Sequence, residues 1–238
     1  MATANMLYKR SLPVNQYISV YVPTVGEILD NEDDYNDLVS RFVAMPIDFA
    51  VSLDDNGIDF SKIDEYTLFL MLFQSLKDRD THLIFSDLDL SKFDYAMNDQ
   101  NGEILLIDTE HDIRIDRAIH DLTANAIRKI HHLKKDIRKP GNDAARKFMI
   151  DRARRKMKRN QNSSEDSQLE SLIVAMVNTE QYKYDFEGTR ELSIYQFHEC
   201  VRQIMKKVDY DNKMRGIYAG TVNAKDLSPD DLNWLIHK

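Results

Sequence analysis

Residues Glu191 to Thr221, ELSIYQFHECVRQIMKKVDYDNKMRGIYAGT, constrain the fold more than any other stretch of the chain. Apolar side chains fall at Ile194, Phe197, Val201, Ile204 and Val208, in alternating steps of three and four that a 3.6-residue helix keeps on one stripe. Such a stripe is a packing seam that needs a partner surface. Ser193 is placed to cap the start, and Gly216 is expected to end the helix, because glycine is favoured at a left-handed terminus. No side chain in this stretch announces chemistry, so it speaks for packing and binding rather than catalysis.

The rest of the chain divides by pattern. Leu12 to Val22 alternates loosely and reads as a strand or two. Pro23-Thr24 opens a helical pattern with Val25, Ile28 and Leu29 on its buried side. Tyr35, Leu38, Val39, Phe42 and Val43 return to helical spacing, and Met45-Pro46 ends or bends that helix. Ile47 to Leu53 fits a short helix or a strand equally well. Ser61 to Leu76 is apolar on nearly all sides, the mark of a central helix. Leu83-Ile84-Phe85 is a short strand candidate. Phe93 to Met97, Asn98 to Gly102 and Glu103 to Ile107 read as strand, turn, strand, the hairpin 93–108, since Asn101-Gly102 tolerates positive φ at both residues; Ile113 and Ile115 are candidates for a third short strand.

From Asp116 the stripe Ala118, Ile119, Leu122, Ala126, Ile127, Ile130, Leu133 and Ile137 is helical up to Pro140-Gly141. A second helix follows with Phe148, Met149 and Met157 among many basic residues, giving a helical hairpin or bent arm. Asn160 to Ser167 is the best linker. Gln168 to Asn178 restarts a helix. Asp226 to Lys238 is expected to close the chain as a helix capped at Ser228, with Pro229 in its first turn. The fold class is therefore α+β and predominantly α-helical. It has an N-terminal α+β part (1–115) with the hairpin 93–108, a basic helical arm (116–160) and a C-terminal helical part (161–238).

Charge is unevenly spread. Arg128 to Arg159 holds fourteen Lys and Arg against three Asp, net +11, which within the overall −8 leaves −19 on the other 206 residues. A chain divided this way can attract itself, another copy or an anionic partner. Arg146, Lys147, Arg152, Arg154, Arg155 and Lys158 form the candidate docking face of the arm. They could also neutralise phosphates, but Phe148 is the sole aromatic between Arg128 and Arg159 able to stack on a base.

The sequence carries no recognised reactive motif. The seven glycines form no phosphate-binding loop, HExxH is absent, and one cysteine, Cys200, provides neither a metal set nor an intramolecular disulfide. Asp54-Asp55-Asn56-Gly57 crowds oxygens as a calcium loop does. Counting from Asp54, however, the sixth residue is Asp59 rather than glycine. Asp108, Glu110, His111 and Asp112 form the densest mixed cluster, and in a strand His111 would face away from the three acids. His131-His132 reads as a chance pair on an exposed helix. The longest apolar run, Leu68 to Phe73, is far short of the roughly 20 residues of a spanning helix. No cleavable leader is expected from Met1 to Pro13, and the lone cysteine fits a reduced, intracellular setting. No catalytic residue, metal or cofactor is expected.

Two pieces of the chain carry a resemblance. Val22-Pro23-Thr24-Val25-Gly26-Glu27-Ile28-Leu29, with Ala44-Met45-Pro46-Ile47-Asp48 and the helix Glu65 to Phe73, resembles small baseplate hub and tail-assembly proteins of tailed bacteriophages. Met214 to Val222, ahead of Leu227 to Trp234, is similar to the end of such proteins. The resemblance implies a non-enzymatic protein: a tail or baseplate component, or a chaperone of their assembly. Its implied partners are other tail or baseplate proteins or a second copy, in the host cytoplasm during assembly or in the virion, with no membrane. The alternative is a nucleic-acid-binding phage protein that uses the arm 128–159.

Overall fold

The computed structural model describes residues 6–98, 101–160 and 167–235, so most of the expected linker lies outside the described residues. Strands β1 (Ser11–Pro13) and β2 (Ser19–Tyr21) pair antiparallel with Leu12 opposite Val20. Asn15 closes their turn, its side-chain oxygen accepting from Tyr17 N and Ile18 N at 2.8 and 2.7 Å. Helix α1 (Val25–Leu29) starts with a reciprocal cap: Thr24 Oγ1 accepts from Glu27 N at 3.1 Å, and Glu27 Oε2 accepts from Thr24 N at 2.7 Å. Helix α2 (Glu32–Phe42) buries Tyr35, Leu38, Val39 and Phe42, as its spacing predicts. The ambiguous 47–53 stretch resolves into α3 (Ala50–Asp55), with Ala50 and Leu53 turned onto one buried face.

The apolar stretch 61–76 is broken into a 3-10 turn at Phe60–Lys62, α4 (Glu65–Leu72) and α5 (Gln74–Lys77). Its central position has a plain cause. Tyr66, Phe69, Phe73 and Leu76 enter the large core, whereas Leu68 faces a second, smaller cluster with Ala50, Leu53, Phe60 and Ile150. A helix wedged between two cores has no polar face to spare. Leu83-Ile84-Phe85 is not a strand but belongs to α6 (His82–Phe85), one helical turn with all three residues buried. A short apolar run buried on every side has no periodicity to read.

The expected hairpin is present: β3 (Asp94–Met97), β4 (Ile104–Asp108) and β5 (Ile113–Ile115) form an antiparallel sheet in that order, with Tyr95 opposite Leu106 and Leu106 opposite Ile115. Asn98 N donates to Glu103 O at 2.8 Å at the hairpin's end. Helix α7 (Arg117–His131) stops six residues earlier than the stripe suggests. His132 takes a left-handed conformation (φ 54°), and Lys135 drops to Glu65 at 2.5 Å and Asp121 at 3.5 Å, drawing the chain away from the helix axis. Leu133 and Ile137 are consequently exposed. Glu65 is buried and also receives Arg128, whose guanidinium donates to the Val43 carbonyl at 2.6 Å.

Beyond it come α8 (Asp143–Asn160), α9 (Gln168–Val177), α10 (Phe186–Glu191) and α11 (Ile194–Tyr218). Ser193 caps α11 as its position predicts, reciprocally with Gln196. The start of α11 is stitched to that of α1: Ile194 N donates to Pro23 O at 2.9 Å and Val25 N to Leu192 O at 2.8 Å. Gly26 permits this approach, since a Cβ there would lie 3.2 Å from the Arg190 carbonyl. The large core thus draws Val22 and Leu106, Ile127, and Ile173 and Phe197 from all three parts of the sequence.

The C-terminal end departs from expectation twice. Gly216 lies inside α11, where Val222 packs so closely that a Cβ would come within 2.6 Å of its methyl group; the left-handed glycine is Gly220, at φ 72°. A 3-10 turn at Ala224–Asp226 is followed by turns over 227–235 in place of the expected helix, whose last residues, 236–238, lie outside the described residues. Ser228 N and Oγ donate to Asp231 at 3.0 and 2.7 Å, and Lys213 of α11 reaches the same carboxylate at 2.6 Å. The capping chemistry is present, but it folds the segment back along α11.

Candidate functional site

The arm and the seam are where the sequence places binding, and the structure splits each into an occupied and a free part. Helix α8 inserts Ile150 into the smaller core, with Met149 packed against it. This orients two cations onto acidic residues of the same chain. Arg154 reaches Asp54 at 3.0 Å and Asp55 at 2.5 Å. Arg146 lies 3.8 Å from Asp54, 3.8 Å from Asp59 and 3.6 Å from Asp143. The acidic turn that resembles a calcium loop is therefore the counter-surface of the arm. Lys147, Arg152, Arg155 and Lys158 are exposed, as is Phe148.

The seam divides along its length. Ile194, Phe197 and Val201 are buried in the large core, Ile204 is half-buried against it, and Val208 is exposed. Beyond Ile204, α11 has left the core. Its distal half and the returning C-terminal segment expose Met205, Val208, Tyr218, Leu232, Trp234 and Leu235. Gln203 Nε2 donates to the Trp234 carbonyl at 2.7 Å and Lys206 Nζ to the Asp230 carbonyl at 2.6 Å, which fixes the segment beside the helix.

His131-His132 is not a pair on an exposed helix. It lies where α7 meets α11: His131 Nε2 is 2.7 Å from the Tyr35 hydroxyl, and its ring is 6.2 Å from that of His198. Burial first, then the neighbouring imidazoles, lowers His131 to about 3 and His198 to about 4. His120, buried against Phe69 with ring centroids 4.3 Å apart, is lowered to about 4, mainly by burial. Unfolded histidine titrates near 6.5. Between pH 6.5 and about 4 the unfolded chain therefore binds more protons, and stability falls as pH falls. Carboxylates held low, such as Asp64 and Asp37, act only below their ordinary range near 3.8. Each of the three histidines is expected to remove about 1 to 2 kcal/mol between pH 7 and 5. Urea midpoints across that range check this, and a flat profile would refute it.

Asp108, Glu110 and His111 bring one ligand atom each within 4.8 Å of one another. His111 does not face away, because β4 ends at Asp108 and the following turn folds the ring back. Its Nδ1 sits 2.8 Å from Asp108 Oδ2, while Asp108 Oδ1 accepts from Glu110 N at 2.9 Å. The aspartate oxygens are used in closing this turn. No helix among the described residues is long and apolar enough to cross a membrane.

The histidine junction escaped the sequence reading because its members are about 70 residues apart in α7 and α11. The one available signal was that His131 follows Ile127 by four, one helical turn along the buried stripe.

Compared with known proteins, residues 158–237, about a third of the chain, match the family model described as the YomV second domain, a family of Bacillus phage type. No curated protein and no solved structure matches. The matched stretch contains α9, α10, α11 and the returning C-terminal segment, and the match supports a phage protein.

Proposed function

We propose that the chain is a tail or baseplate protein of a phage, or a chaperone of tail assembly, that acts by binding other proteins and catalyses no reaction. The observation that carries this reading is the distal half of α11 with the segment folded against it, within the matched stretch. Met205, Val208, Tyr218, Leu232, Trp234 and Leu235 are all exposed there. A grouping of large apolar side chains on a surface marks a place of contact with another polypeptide. Tail and baseplate proteins or a second copy are the partners, met in the host cytoplasm during assembly.

The test is sedimentation of tail intermediates from infected cells, followed by mass spectrometry of purified particles. The wild-type chain is expected to travel with the intermediates, and Val208→Asp with Leu235→Asp to stay in the soluble fraction while folding normally. Presence in finished particles makes it a component; its absence there makes it an assembly factor. A wild-type chain found with neither intermediates nor particles would refute the reading.

One observation favours nucleic acid as a second reading: Lys147, Arg152, Arg155 and Lys158 remain exposed on α8 after Arg146 and Arg154 have found carboxylates. Such binding would weaken steeply with salt, with a slope of about −0.9 per phosphate neutralised on duplex DNA. Gel shifts over a salt series should then show binding lost in Arg152→Glu with Arg155→Glu. Arg154 is a poor probe, since reversing it also repels Asp54 and Asp55.

A further inference from the structure

Helix α8 carries eight cations against two aspartates. Arg146 and Arg154 are turned onto Asp54, Asp55 and Asp59, and Ile150 enters the smaller core, so the helix is held by one side and its opposite side faces solvent. On that side Phe148, Arg152, Arg155 and Arg159 follow one another at steps of four, three and four, a single stripe along a helix. All four are exposed, and none of the three arginines meets a carboxylate among the described residues. The stripe is a row of open guanidinium groups with an aromatic ring, 65% exposed, at one end.

The same chain displays the complementary surface elsewhere. Tyr184, Phe186, Glu187 and Glu191 are all exposed, and the two glutamates stand one helical turn apart on α10. Asp30, at the end of α1, joins them: Arg190 holds both of its oxygens at 2.9 Å, with Glu187 and Glu191 also close enough to act on the guanidinium. One cation thus faces three carboxylates. Lys183, the neighbouring cation in sequence, reaches back to the Glu180 carbonyl at 3.4 Å. An excess of negative charge remains here beside two exposed aromatic rings. This surface belongs to the large core, through Leu192, and packs against α1 and α9, whereas α8 stands on the smaller core.

We propose that the Phe148 to Arg159 stripe of one copy docks on the Tyr184 to Glu191 surface of the next, with Arg152 and Arg155 taken by Glu187, Glu191 and Asp30, and Phe148 packed between Tyr184 and Phe186. Guanidinium–carboxylate pairing is the contact that α8 already makes within the chain, and an arginine over an aromatic ring adds to it. Because the two surfaces differ, the contact is head to tail and builds a ring or a chain of copies rather than a closed pair. Nucleic acid matches the stripe less well, since one aromatic is available for stacking and the whole chain carries −8. The inference does not rest on the tail or baseplate reading, whose surface is the distal half of α11.

The experiment is sedimentation velocity of the nuclease-treated full chain over a concentration and a salt series. Concentration-dependent association that weakens as salt rises is expected. Arg152→Glu with Arg155→Glu should raise the dissociation constant roughly tenfold or more, because it sets like charges face to face, and Glu187→Lys with Glu191→Lys should do the same. All four side chains are exposed, so both variants are expected to unfold as wild type does. Each double reversal moves the net charge by four from −8, so both chains stay negative. Mixed in equal amounts they should nevertheless associate again, since the reversed stripe of one meets the reversed α10 surface of the other. Val208→Asp with Leu235→Asp, on the α11 surface, should associate as wild type does. The proposal is overturned if the nuclease-treated wild type stays monomeric near millimolar concentration at low salt; association seen only before nuclease treatment would give the stripe to nucleic acid. It is equally overturned if the mixture of the two reversed variants stays monomeric, or if Val208→Asp with Leu235→Asp abolishes association, which would place the contact on α11.

Discussion

Replacing Phe197 with Ala is expected to cost about 3 to 5 kcal/mol of folding stability. The side chain is completely buried in the large core, edge-on to Tyr182 with ring centroids 6.3 Å apart. Truncation removes its transfer free energy and leaves a cavity that α1 and α11 cannot close without breaking the hydrogen bonds that join their starts. A domain's whole stability is about 5 to 15 kcal/mol, so the variant should unfold at much lower urea. Val208→Ala, three turns along the same stripe, supplies the contrast. Val208 is exposed, and its loss should stay within about 0.5 kcal/mol. Equal midpoints for the two variants would mean that α11 does not enter the core at Phe197.

Arg128→Met should be about as damaging, for a different reason. Glu65 is buried with Arg128 on one oxygen and Lys135 on the other, and Arg128 also satisfies the Val43 carbonyl. Removing the guanidinium leaves a buried charge half-compensated and a carbonyl without a donor, a loss of about 3 to 5 kcal/mol. The double variant Arg128→Met with Glu65→Leu should recover much of this, because the charge that needed compensation has gone. Recovery, measured as a positive coupling in a double-mutant cycle, is the informative result. Two losses that simply add would show that the two side chains act independently.

What could be read beforehand was whatever depends on neighbours in sequence. The cap at Ser193, the β3–β4 hairpin with Gly102 in the left-handed region, the buried face of α2 and the helix-rich α+β class all follow from local spacing and side-chain chemistry. The failures share a cause. Leu83 to Phe85 is helical because surrounding elements bury it on all sides, and α7 stops at His131 because Glu65 and Asp121 capture Lys135. The C-terminal segment bends back although its Ser228–Asp231 cap forms, because Lys213, Gln203 and Lys206 of α11 hold Asp231 and the Trp234 and Asp230 carbonyls beside the helix. In each case a contact distant in sequence overrode a local preference. The candidate site was legible to a similar depth. The composition showed a basic arm and an acidic remainder, but not that Arg146 and Arg154 would be consumed by Asp54, Asp55 and Asp59.

The stitch between Pro23 and Ile194 sets an order on the birth of the molecule. At a synthesis rate of roughly 5 to 20 residues per second, about ten to thirty seconds separate the emergence of the two strips of backbone. Until then the core around Val22, Val25 and Ile28 lacks the share that Leu192, Ile194 and Phe197 supply, and Val25 N lacks the carbonyl it will use. Nascent chains released before Ile194 would keep that gap permanently, so truncated products should be found with chaperones or in aggregates, never as a tidy N-terminal fragment.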